Sequence, residues 1–317
     1  MIAPGEQYSS SEAAPIYAPQ LPSYEQLAAL GDQEYLAAGR AFGALYYDIV
    51  AGDATGGLAA IAQATVAPYL RPLRNLSNAA VAATMLRAYR LDYNSLCRAH
   101  GVNELFENVE PDTEDMSRVE FVRYSPIGIP VLGINDTNYV FRRNVGTSGF
   151  CVPWLMQTAG LPPLVVTIAG SSEAARSIRI HEASHATWAI LLQAGVIPAL
   201  EKANGSDEQS AALDTARNEA TALQIAGQGT IRHYNVQRIA ERDGEDPAIV
   251  DRYRRVVEAY QQAMRFVLGI KQSDAVLGFM TARSWDDFFA HSERMTRLAE
   301  AAPHAASAPI EDGWAWV

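Results

Sequence analysis

His181, Glu182 and His185 are the residues from which the chemistry of this chain has to be argued. At 3.6 residues per turn, side chains four apart lie one above the other on a helix face, so both imidazoles can reach a single ion. Glu182 projects about 100° round from His181, near such an ion without having to bind it. Two histidines and a glutamate in this His-Glu-x-x-His spacing are the parts of a zinc centre for hydrolysis. The rings hold the ion, and the carboxylate removes a proton from water.

A helix must present these residues, and the surrounding sequence predicts one over about residues 172–194. Leu164-Val165-Val166-Thr167-Ile168 is the strongest strand candidate in the chain, and its unbroken apolar run predicts a central position. It leads through Ala169-Gly170 into the helix, with Ser171 or Ser172 as N-cap and Glu173 placed against the helix dipole. The helix should stop near Gly195, before Pro198. Ala183, Ser184 and Ala186 are small and leave room beside the rings. A buried helix holding two histidines and a glutamate without an ion would need other partners for all three polar groups.

With that helix in place, residues 164–235 resemble the HExxH zinc metallopeptidases. The branch with a third histidine requires HExxHxxGxxH. After His185 this chain reads Ala186-Thr187-Trp188-Ala189-Ile190-Leu191, with neither the glycine nor the histidine. The gluzincin branch takes its third ligand from a glutamate on a downstream helix, often preceded by asparagine. Asn218-Glu219-Ala220-Thr221 matches, within a helix predicted over about residues 207–226 and opened by the capping box Ser206-x-x-Gln209. The resemblance therefore implies a zinc ion held by His181, His185 and Glu219, with Glu182 as general base. It further implies an oxyanion donor downstream of the ligand glutamate, for which His233 and then Tyr234 are the candidates. One departure stands out. Several gluzincins place an acid one turn beyond the ligand glutamate, where it orients a zinc-binding histidine; here that position is Leu223, and Asp214 or Asn218 would have to substitute. Asp214 and Cys151 also compete with Glu219 as third ligand, since thiolate binds zinc well, although a buried free cysteine is the commoner role.

The 317 residues suffice for a sizeable core, and 49% hydrophobic with 19% charged residues describes a globular chain. A net charge of −11 argues against a nucleic-acid partner, and no Lys/Arg cluster interleaved with aromatics offsets it. Two cysteines imply no disulfide framework. No apolar run is long enough to span a membrane, and Met1-Ile2-Ala3-Pro4-Gly5-Glu6 has neither a basic nor an apolar leader region, so cytoplasmic residence is the expectation.

These readings combine into an α+β, mainly helical fold with a zincin-like core. Residues 1–21 read as a flexible tail and 22–110 as an N-terminal helical unit, opened by the capping box Ser23-x-x-Gln26 and closed by a helix that Ser77 caps and Gly101 stops. Residues 111–235 form the catalytic core, with strand candidates at 119–124, 129–134, 139–143 and 164–168. Residues 236–302 are a C-terminal helical unit, and 303–317, with Trp314 and Trp316, a tail. The polar 139–143 segment is the candidate edge strand for pairing with an extended peptide. Arg142, Arg143, Arg176 and Arg179 are candidates to meet its acidic groups. The expected activity is zinc-dependent hydrolysis of a peptide or protein substrate. An inactive zincin-like scaffold and a non-peptidase zinc hydrolase are the other readings of the same residues.

Overall fold

Ser23 caps the first described helix. Its Oγ accepts from Gln26 N while Gln26 Oε1 accepts from Ser23 N, closing the capping box at the head of α1 (Tyr24–Ala28). The computed structural model describes residues 21–141, 148–169, 173–200, 207–227, 246–264 and 271–302. Three longer helices follow: α2 (Asp32–Ala51), α3 (Gly57–Leu70) and α4 (Asn78–Ala99). Ser77 caps α4, and Gly101 ends it at φ +66°, with Val102 N donating to Cys97 O. The short α5 (Thr113–Ser117) leads into β1 (Val119–Tyr124) and β2 (Pro130–Ile134), then α6 (Thr137–Phe141), β3 (Gly149–Val152), α7 (Leu155–Thr158) and β4 (Leu164–Ile168). Among the described residues the remaining helices are α8 (Glu173–Gln193), α9 (Asp207–Ile225), α10 (Pro247–Met264), α11 (Val276–Thr281) and α12 (Trp285–Ala301), with a 3-10 turn, Gln272–Ala275, before α11.

The protein is thus α+β and mainly helical, around a small mixed sheet of order β1-β2-β4-β3. β2 and β4 pair in parallel at its centre, while β1 and β3 are antiparallel to their neighbours. Alternation along the central strands divides the core in two. Val131 and Val165 face one cluster, built with α2, α3, α8, α9 and the C-terminal helices. Leu132, Ile134, Leu164 and Val166 face the other, built with Val81, Met85 and Tyr89 of α4. Helices on both faces explain why β2 and β4 read as continuous apolar runs.

The expected strand at 139–143 is corrected, since residues 137–141 form α6. Asp136 decides this, because its side chain accepts from Tyr139 N at 3.0 Å and its carbonyl from Val140 N at 3.3 Å, an N-cap that starts a helical turn. Residues 142 and 143 lie outside the described residues. The edge of the sheet nearest α8 is β3 instead.

Two close approaches brace the helices around α8 and α9. Gly39 and Gly43 of α2 let the 3-10 turn lie directly on that helix: a Cβ on Gly39 would stand 2.1 Å from Asp274 O, and one on Gly43 2.2 Å from Ser273 O. On the other side, the buried Arg217 of α9 donates to the carbonyls of Phe279 (3.4 Å) and Met280 (2.5 Å), fastening the end of α11 to α9. Among the described residues, no helix is long and apolar enough to cross a membrane.

Candidate metal centre

The HExxH residues lie in the middle of α8, and the sequence around them explains why the helix passes so close to its neighbours. Ala183, Ser184, Ala186 and Thr187 are buried. Their small side chains let α2 approach, and Tyr46 of α2 donates from its hydroxyl to Ser184 O at 2.9 Å, one residue from His185. Packing of α9 against α8 is antiparallel. His185 meets Asn218 near one end of the contact, and Ser177 Oγ donates to Ala226 O near the other. That register brings Glu219 level with both histidines.

The three expected ligands come together. His181 Nε2 and His185 Nε2 are 3.0 Å apart, with the rings edge to face at 85°. Glu219 Oε2 lies 3.7 Å from His181 Nε2, and Oε1 lies 3.7 Å from His185 Nε2. Among the described residues this is the one group of three or more potential ligands, with all donor atoms within 4.8 Å of one another. The side chains are 14%, 13% and 20% exposed, so the cluster is sheltered yet reachable from solvent.

Of Asp214 and Asn218, the expected substitutes for the acid that Leu223 replaces, Asn218 is the one that lies against a histidine. Its Oδ1 lies 2.9 Å from His185 Nδ1, an acceptor that places the ring proton on Nδ1. His185 Nε2 then turns a lone pair toward His181 and the Glu219 carboxylate. Converging lone pairs repel unless a proton or a cation lies among them. Donors at about 2.0–2.1 Å from a tetrahedral zinc ion stand about 3.3–3.4 Å from each other, and the observed 3.0 and 3.7 Å bracket that spacing. Two neutral imidazoles and one carboxylate also suit zinc chemically, so the residues present fit the ion.

Glu182, on the same helix, packs against β3. Gly149 of that strand makes the approach possible, since a Cβ there would stand 3.0 Å from Glu182 Cγ and 2.7 Å from Ile178 Cγ2. Cys151, two residues along β3, is separate from the three-ligand group. Its thiol is pushed well up in pKa, first by burial and then by the Glu182 charge, so it stays protonated. Asp214 is also apart from the ligands. It accepts from Arg217 Nη1 at 3.3 Å, and burial raises its pKa while Arg217 lowers it.

Arg176 donates to Tyr47 OH at 3.2 Å. Arg179 has its pKa lowered, mostly by burial and then by Arg123 and Arg176, so these three guanidiniums share one neighbourhood. His233, Tyr234, Arg142, Arg143, Trp314 and Trp316 lie outside the described residues, as do Ser171, Ser172 and Ser206. Sequence reasoning missed Tyr46 and Gly149. Tyr46 lies 138 residues from Ser184 in the chain, and no local pattern marks either residue. Comparison of the chain with known protein families, with curated proteins and with solved structures returned no match.

Proposed function

We propose that the protein is a zinc-dependent peptidase with a gluzincin-like ligand set. The observation that carries this reading is the convergence of His181, His185 and Glu219 from two antiparallel helices, with His185 already oriented by Asn218. When bound, zinc lowers the pKa of a coordinated water toward about 7 and polarises a carbonyl.

The chain supplies the rest. Glu182 neighbours His181 on the helix and is the base that would take a proton from water and return it to the leaving amine. Gly149 keeps the Glu182 side chain seated against β3. Asn218 holds the His185 tautomer, and Tyr46 fixes the backbone turn that carries the ring. A peptide substrate suits the position of β3. An extended chain laid beside this strand would pass its backbone over Glu182 and the three ligands.

The test combines metal analysis with peptide cleavage. Protein purified without chelators should carry about one zinc per chain, and His185→Ala should carry none. Glu182→Gln should keep the zinc while cleavage of a broad peptide library drops by about 10²–10⁴-fold. Absence of zinc in the wild type, or zinc retained in full by His185→Ala, would overturn the metal site. Zinc without cleavage by the wild type would leave a zincin-like scaffold.

A further inference from the structure

Gln272 and Asp274, in the 3-10 turn that lies on α2, line a cleft of about 500 Å³ between that turn, α2 and the end of α9. A volume of this size suits a small molecule. None of the three candidate metal ligands lines it.

The buried wall of the cleft carries acceptors that the fold does not use. Asp274 is 3% exposed. Its Oδ2 accepts from Lys271 N at 3.1 Å and pairs with Arg40 Nε at 3.6 Å. Its Oδ1 is buried and has no hydrogen-bond partner among the described residues, and the same is true of Gln272 Oε1. The Gln272 oxygen sits at the C-terminal end of α9, 3.9 Å from where a Cβ on Gly227 would stand, and a helix C-terminus carries partial negative charge. Buried polar atoms in native proteins are nearly always bonded, so two orphaned acceptors on one cleft call for an occupant that brings donors. A carboxylate, an amide oxygen and a helix C-terminus together favour donors on a cationic group.

The open side of the cleft has the opposite sign. The Arg40 side chain is 57% exposed, and Lys271 is exposed beside the turn. With Asp48, also in the lining, two cations face two carboxylates and the cleft is neutral as a whole. A metal ion is a poor match, because among the described residues only His181, His185 and Glu219 gather three ligands of that kind. An occupant with a positive end inside and a negative end outside matches the arrangement.

We propose that this cleft binds a small zwitterion, an amino acid or a short peptide, whose ammonium group donates to Asp274 Oδ1 and Gln272 Oε1 while its carboxylate meets Arg40 and Lys271. The site is distinct from the metal centre and does not rest on the zinc reading.

Isothermal titration of the full chain tests it, with alanyl-leucine and free L-leucine as probes and the N-acetylated and C-amidated dipeptides as controls. At least one unblocked probe should bind saturably, and the tighter of the two identifies the source. Blocking either end of the dipeptide should weaken binding by about tenfold or more, since each block removes a charged hydrogen-bonding group. Gln272→Met should weaken binding about tenfold while the melting temperature holds or rises, because it removes an unpaired buried acceptor. Lys271→Ala, at an exposed position, should weaken binding with the melting temperature unchanged. His185→Ala, which damages only the metal centre, should bind the probes as the wild type does. No saturable binding of either unblocked probe would leave the cleft to water and overturn the proposal. Equal binding of the blocked dipeptides, full affinity in both Gln272→Met and Lys271→Ala, or binding lost in His185→Ala would overturn it as well, the last by placing the probe at the metal centre.

Discussion

Acidification should destabilise this protein through His291, and replacing that residue should flatten the loss. The ring is 1% exposed, its Nε2–H donates to Ala275 O at 2.8 Å, and Tyr35 donates its hydroxyl proton to Nδ1. Both nitrogens are thus satisfied in the neutral form. Burial pushes the pKa down to about 3, the Ala275 bond opposes it, and Arg294 lowers it slightly further. An unfolded imidazole titrates near about 6.5. Between these values the unfolded chain binds the extra proton, so stability rises with pH. The contribution is complete above pH 6.5 and is lost as pH falls toward 3. The whole gap corresponds to about 5 kcal/mol, of which about 2.7 kcal/mol has gone by pH 4.5. Urea unfolding followed by circular dichroism, at steps from pH 7 to pH 4.5, measures it. Wild type should lose about 1.4 kcal/mol per pH unit more than His291→Gln between pH 6 and pH 4.5, since carboxylate effects are common to both. Parallel losses in the two proteins would refute the reasoning. The consequence reaches the metal centre. His291 packs on Phe279 at 4.5 Å and α11 is fastened to α9 by Arg217, so zinc retention should weaken along with this corner.

Asn218→Leu should lower zinc affinity by about 10–100-fold, because the His185 Nδ1 proton loses its acceptor, while Asn218→Asp should keep wild-type affinity or better; equal affinity in the leucine variant, by chelator competition, contradicts this. Gly149→Ala should cut peptide turnover by about tenfold or more with zinc affinity nearly unchanged. The new Cβ, 2.9 Å from Val166 O and 3.0 Å from Glu182 Cγ, forces α8 to move relative to β4; kinetics and zinc titration side by side decide it, and unaltered turnover counts against the placement of Glu182. Arg217→Met should cost about 2–4 kcal/mol in urea unfolding, since the buried carbonyls of Phe279, Met280 and Pro198 lose their donor. A loss below about 0.5 kcal/mol would show that the contacts are not needed.

What could be read along the chain was local. The spacing of His181 and His185 places their rings on one helix face whatever surrounds them, and Ser23, Ser77 and Gly101 mark helix ends through bonds to residues only a few positions away. Asn218 and Glu219 were legible as a pair on the next helix. The 139–143 segment was misread because its residue types suit a strand, whereas one side-chain bond from Asp136 starts a helical turn. Distances across the fold decided the rest. The antiparallel register of α8 and α9 sets Glu219 at 3.7 Å from each ring and gives Asn218 its partner. Packing of β3 on α8 makes Gly149 the seat of Glu182. Helical periodicity repeats every few residues and is written in the sequence itself. Which helix faces which, and at what level, depends on side chains far apart in the chain filling one core, and only the folded structure decides that.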